Sequence, residues 1–186
     1  MIEYTKEELN KILEDHKLWL NDKTKGKRAD LDGVNLEGAD LSYANLENAN
    51  LRGANLEDAN LVGADLEYAY LNEANLRGAN LEDANLTGAD LEDAYLNEAN
   101  LENANLTLVD LRHAILTGAI LIRAKLGNAN LKFAHLIDAN LSGADLYRAD
   151  LRGANLSNAS LIKANLIKAN LRSVNLKDAN LNGTIF

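Results

Sequence analysis

The sequence predicts an all-β solenoid, and three observations carry that prediction. From Leu31 to Leu181 a leucine stands at every fifth position, thirty-one times in succession, and Phe186 takes the next such place. Two residues before each stands Ala, replaced only by Val34, Val109, Val174 and Thr184. Pro and Cys are absent, and Leu, Ala and Asn dominate the 186 residues, a bias that an internal repeat explains better than an ordinary globular mixture.

A step of five fits neither regular element if it is continuous. In an α-helix it advances about 140° beyond a full turn, so the leucines spray around every face. In one unbroken strand an odd step sends successive leucines to opposite sides. The arrangement left is a short extended piece followed by a bend, with the same turn each time, so that all leucines meet in one interior. Ala and Leu, two apart, then face inward, and the Asn or Asp between them faces out. The two residues after Leu form the corner. Gly recurs at the second of them, at ten places including Gly53 and Gly88, as a turn with positive φ favours.

Ahead of the repeats, "TKEELNKILEDHKLWL" reads as an amphipathic helix. Thr5 and Glu8 form a capping box, with Tyr4 and Leu9 placed as a hydrophobic staple. Leu9, Ile12, Leu13, His16 and Leu20 lie on one stripe. Residues 1–28 are thus expected to be a helix covering the first coil, joined by a basic connector, "NDKTKGKR", to a solenoid over 29–186. No matching segment follows the last repeat. Two arrangements stay open there: Ile185 and Phe186 close the final coil, or that end packs on a second subunit as a symmetric dimer.

The motif A-[ND]-L-x-x over residues 29–186, about 85% of the chain, resembles the pentapeptide repeat family. The resemblance implies a right-handed quadrilateral β-helix in which four repeats close one coil of twenty residues. The chain then makes about eight coils and, at about 4.8 Å each, a rod roughly 38 Å long. No single coil stands alone, since each leucine is buried against those above and below.

Charge divides the rod. Residues 29–104 carry seventeen Asp and Glu against Arg52 and Arg77, a net of −15, whereas residues 105–186 carry five against ten Lys and Arg, a net of +5. At twenty residues per coil, Arg112, Lys132, Arg152 and Arg172 stack in one column, a candidate docking stripe for an acidic partner or phosphates. Ile120, Ile122 and Ile162 share a side and form a candidate apolar contact.

Motifs for chemistry are missing. There is no nucleophile with a positioned base, no metal-ligand spacing and no phosphate-cradling loop. The three histidines, His16, His113 and His135, occupy unrelated positions, and the carboxylates ride on a convex surface. The chain is therefore expected to be no enzyme and to use no cofactor, metal or small-molecule substrate. The opening residues lack a signal-peptide core and no membrane-length apolar run occurs, so a cytoplasmic location without membrane association is expected. A formal charge of −9 argues against direct nucleic-acid binding.

Three function classes follow. One is a non-catalytic interaction scaffold with a protein partner. The second, implied by the family resemblance, is DNA mimicry toward a type II topoisomerase such as gyrase. The acidic half supplies about 0.8 charges per Å against roughly 0.6 for duplex DNA, but the sign reverses after about four coils. The third is a self-assembling module in which acidic and basic halves pair antiparallel. A final feature bears on where a site lies. Residues 50–74 and 75–99 match at all but two of twenty-five positions, and a shift of twenty-five moves the copy onto the next side of the square. A site built on one column of the acidic half would be scrambled by that step, which favours the less repetitive second half.

Overall fold

The computed structural model describes residues 2–186. Every isolated bridge from Asp30↔Asn50 to Asn165↔Ile185 is parallel and joins residues twenty apart. Four pentapeptides therefore make one turn, and the interior is a single apolar column. Its leucines from Leu31 to Leu166 are buried, together with nearly all the alanines between them.

Four backbone bonds recur along the repeats, one of them from the second-corner N–H to the first-corner carbonyl of the next coil, as Gly53 to Asn72 at 3.0 Å. The leucine N–H donates to the outward residue of the next coil, as Leu51 to the Tyr70 carbonyl at 2.7 Å. The outward residue donates back to an alanine of the previous coil, as Asn50 to Ala29 at 3.0 Å. The Ala N–H closes the corner on the preceding Leu carbonyl, as Ala54 to Leu51 at 3.1 Å. The backbone is thus paired axially, while Leu and Ala fill the interior.

All thirty-one second-corner residues, from Gly33 to Gly183, have positive φ, and twenty-one of them are not glycine. The expectation that a positive-φ turn sits here is met, but glycine is the minority solution. What the position excludes is a branched Cβ: it holds no Val, Ile or Thr, whereas the first-corner position holds eight, from Val62 to Ile167. The left-handed region tolerates Asn, Asp and unbranched chains and penalises β-branched ones.

The outward Asn and Asp have a local task. Their side-chain oxygen accepts the N–H of the first corner residue, as Asn45 from Glu47 at 3.0 Å, which is an Asx turn bracing each corner. Several also bond along the column. Asn75 Nδ2 donates to Asn55, which donates to Asn35, at 2.9 and 2.8 Å.

At the N-terminal end, β1 (Ile2–Glu3) pairs in parallel with β2 (Val34–Asn35), adding a rung that the repeat pattern does not announce. Between them runs α1 (Lys6–Asn21). Its capping box is formed: Glu8 Oε2 accepts from the Thr5 N–H at 2.8 Å, and Thr5 Oγ1 accepts from the Glu8 N–H at 3.2 Å. Leu9 and His16 are buried and Ile12, Leu13 and Leu20 are half-buried, with Tyr4, Ile12 and Leu13 packed against the same core as the leucines. His16 Nδ1 accepts the Ala29 N–H at 3.1 Å, which ties the helix to the first repeat. Trp19, half-buried, stacks on His16.

The other end is open. Leu171, Val174, Leu176 and Leu181 are only partly buried, and Ile185 and Phe186 are 54% and 64% exposed. Of the two arrangements expected there, closure by Ile185 and Phe186 is not what forms. Ile185 continues the outward ladder opposite Asn165 and does not fold across the coil.

Candidate interaction surfaces

The four stacked cations lie on one column, but their charge is largely answered within the chain. Arg112 Nε donates to both carboxylate oxygens of Asp110 at 3.0 and 2.9 Å, and its Nη2 donates to Glu92 at 2.6 Å. These partners, Asp110 first, hold the guanidinium proton more tightly than usual. Lys132 and Arg152 share Asp150, at 3.4 and 2.7 Å, and Arg152 pulls that carboxyl below its ordinary range. Among the described residues Arg172 alone of the four has no carboxylate within ion-pairing distance. Three cations of the candidate docking stripe are thus ion-paired within the chain, and Arg172 is not among the described ion pairs. Asp110 and Asp150, two positions before Arg112 and Arg152, supply most of the counter-charge; Asp150 also takes Lys132 from the coil before it, and Glu92, one coil before Arg112, supplies the rest.

Beside Arg172 a shallow groove of about 200 Å³ is lined by Phe133, Arg152, Gly153, Arg172 and Ser173. Phe133 is half exposed, stacks on His113 at 5.3 Å and lies over Gly153. The repeat pattern carries no signal that singles out Phe133, the residue after Lys132.

The isoleucines sit elsewhere. Ile120 belongs to the ladder running from Asp40 to Asn180, and the cations follow the ladder from Asp30 to Asn170. The two ladders are ten residues apart, half a coil, and so occupy opposite sides of the square. One flat partner cannot cover both. The isoleucine patch is also interrupted, since Ser142 stands between Ile122 and Ile162 in their column and bonds to Ser160 at 2.9 Å.

A cluster that the sequence did not signal lies on a third side. Lys168 Nζ donates to the Tyr147 hydroxyl at 3.2 Å, and Arg148 lies 5.1 Å from the same ring. Lys168 draws the phenol below its usual range. Tyr70 and Tyr95, equivalent in the duplicated segments, lie on adjacent ladders, as the twenty-five-residue shift requires. No group of His, Cys, Asp or Glu among the described residues is arranged to hold a metal ion, and no helix there is long and apolar enough to cross a membrane.

A four-sided parallel solenoid of A-[ND]-L-x-x units is the fold of one class of repeat protein. The family model described as "Pentapeptide repeats" matches eight copies in segments from residues 29–67 to 149–186, and the chain belongs to that family, whose fold is the right-handed quadrilateral β-helix. Among solved structures, HetL, a pentapeptide repeat protein involved in heterocyst differentiation regulation from the cyanobacterium Nostoc sp. strain PCC 7120, is similar at 32% identity, with 98% of this chain and 92% of that one covered and a TM-score of 0.40. Rfr23 from the cyanobacterium Cyanothece 51142 is similar at 26% identity, with coverages of 94% and 99% and a TM-score of 0.41. A trypsin-treated form of QnrB1, a plasmid-mediated fluoroquinolone resistance protein, shares the fold at 17% identity, with coverages of 82% and 84% and a TM-score of 0.58. No curated protein matches the chain.

Proposed function

We propose that this protein is a non-catalytic interaction scaffold: a rod of about eight coils over 29–186, closed at one end by the helix and connector of residues 1–28, that binds a protein partner through its second half. The observation that supports this most is the groove at Phe133, where an exposed aromatic ring adjoins Arg172, a cation with no ion-pair partner among the described residues. An aromatic anchor beside a free guanidinium suits an acidic protein surface. Ile120, Ile122 and Ile162, on the opposite side, then serve a separate contact. In a pull-down from the native host, Phe133→Ala with Arg172→Glu should lose a partner that the parent chain retains. An unchanged set of partners would overturn the reading. The partially buried last coil suits a further contact, a second copy docking end to end at Ile185 and Phe186, which Phe186→Asp should abolish.

The gyrase reading has one observation in its favour. The seventeen carboxylates of residues 29–104 are spread over all four sides, six, four, four and three, so they surround the rod as phosphates surround a duplex. Purified protein at micromolar concentration should then alter gyrase supercoiling or shield it from quinolones. No effect would remove this reading.

A further inference from the structure

The ridge formed by the corners after Leu46, Leu66 and their successors to Leu166 segregates its charges as the ridge after Leu41 does, but lacks the ion pair that joins the two signs there, Arg123 to Glu102. Its acidic residues, Glu47 and Glu67, lie only in the first coils, and its cations, Arg148 and Lys168, only in the last. The three corners between them, from Thr87 to Asn128, carry no charge. Among the described residues none of these four takes part in an ion pair, in contrast to the Arg112 column. At the middle of the ridge stands Leu108, 57% exposed and held outward at φ 61°.

These positions are related by a two-fold rotation. An axis perpendicular to the rod and tangent to the ridge at the level of Thr107 and Leu108 sets two copies side by side and antiparallel; it reverses height along the rod and keeps position along the coil, so corners equally far above and below that level meet. The corner of Glu67 and Tyr68 then meets the corner of Tyr147 and Arg148 of the other copy, and the corner of Glu47 and Asn48 meets that of Ile167 and Lys168, so that Glu67 and Arg148, and Glu47 and Lys168, lie at the same level one residue apart, within reach of their long side chains. Leu108 lies against its own counterpart at the centre.

We propose that two copies of this chain associate side by side and antiparallel along this ridge, with Leu108 at the dyad and Glu47, Glu67, Arg148 and Lys168 as reciprocal ion pairs. The occupant is a second copy because the charges complement one another only after this rotation. The interface is isologous, as two-fold contacts are. A strip of seven coils at about 4.8 Å and roughly 10 Å wide gives on the order of 300 to 400 Å² per copy. That is a small interface, and it makes the pairing weak, reversible and sensitive to salt. It is a different contact from the end-to-end one at Phe186 and does not depend on the scaffold reading.

Sedimentation equilibrium of the full chain from about 10 to 500 μM tests the proposal. Dimers should form in about 50 mM NaCl, with the dissociation constant rising about tenfold or more at about 500 mM. Arg148→Glu with Lys168→Glu should be monomeric, as should Glu47→Lys with Glu67→Lys. An equimolar mixture of the two double variants should dimerise again, since all four pairs are then complementary. Generic attraction does not account for that rescue, because both double variants keep a net negative charge, −13 and −5 from the parent −9. Leu108→Glu, which sets like charges together at the axis, should also be monomeric, and its backbone is compatible, since Glu73 and Glu98 adopt the same positive φ. A monomeric parent at about 50 mM salt, a mixture no more associated than its components, or a dimer indifferent to salt and charge reversal would each overturn the proposal. The last result would assign association to the end of the rod.

Discussion

Tyr68 lies over Gly88, one coil further on, and this contact yields a quantitative test of how corners communicate along the rod. A Cβ built on Gly88 would fall 2.5 Å from Tyr68 Cε1 and 2.7 Å from Cδ1, whereas one built on Gly53 meets nothing within 4 Å. Both glycines have positive φ, 64° and 58°. Replacement by Ala therefore carries the same left-handed penalty of about 1 to 2 kcal/mol at both, offset equally by about 0.4 to 1 kcal/mol from the stiffer unfolded chain. Gly53→Ala should cost about 1 kcal/mol or less. At Gly88 the half-exposed ring must also swing aside by about 1 Å to restore ordinary contact, an off-rotamer cost of about 0.5 to 1.5 kcal/mol. Urea denaturation followed by circular dichroism should place Gly88→Ala below Gly53→Ala by that difference. In a Tyr68→Ala background the difference should vanish, a coupling that a double-mutant cycle isolates. Equal costs for the two glycines, or a full cost at Gly88 after Tyr68 is removed, would refute the reasoning.

Other outcomes follow from the same structure. Neutral His16 accepts the Ala29 N–H and burial lowers its pKa from the ordinary 6.5, so its stabilisation is whole above that value and is lost as pH falls through the lower folded one. The urea midpoint should drop between pH 7.5 and pH 5.5, and His16→Gln, which keeps an acceptor and does not titrate, should flatten that slope; an unchanged slope would place the pH dependence elsewhere. Asp83→Thr, at φ 58°, should cost about 1 to 2 kcal/mol more than Glu82→Thr one residue earlier, because only the former forces a branched Cβ into the left-handed region. Leu101→Ala, fully buried at mid-rod, should cost about 2 to 5 kcal/mol, and Leu181→Ala in the open last coil markedly less; equal losses would contradict the difference in burial.

The interior was legible in the sequence because it repeats with one rule, Leu and Ala inward, and a period of five excludes both continuous elements. The helix was legible down to the atoms of its capping box, since Thr5 and Glu8 act over three residues and need no tertiary information. β1 was not, because Ile2 and Glu3 carry no repeat signal and are extended only by docking on Val34 and Asn35. Column membership of Arg112, Lys132, Arg152 and Arg172 followed from counting, yet their neutralisation did not. Glu92, twenty residues before Arg112, is visible by such counting, but the pairs with Asp110 and Asp150 depend on side-chain reach along and across the corner, which it does not show. The ridge at Leu108 stayed hidden for a related reason, since its symmetry links residues 81 and 121 apart in a pattern that no local window contains.

The corner-to-corner ladder joins residues twenty apart, but the unit of sequence is five, and this sets how the rod responds to changes in length. Adding or deleting one pentapeptide leaves every leucine facing inward and every backbone bond available, so the fold absorbs the edit. Everything downstream, however, turns by a quarter revolution against everything upstream. Glu47 and Lys168 share a ridge only because about six whole coils separate them, and one extra repeat between them would put them on neighbouring ridges without disturbing the core. Stability and surface pattern are therefore inherited on different clocks: the first is conserved by any edit in fives, the second only by edits in twenties.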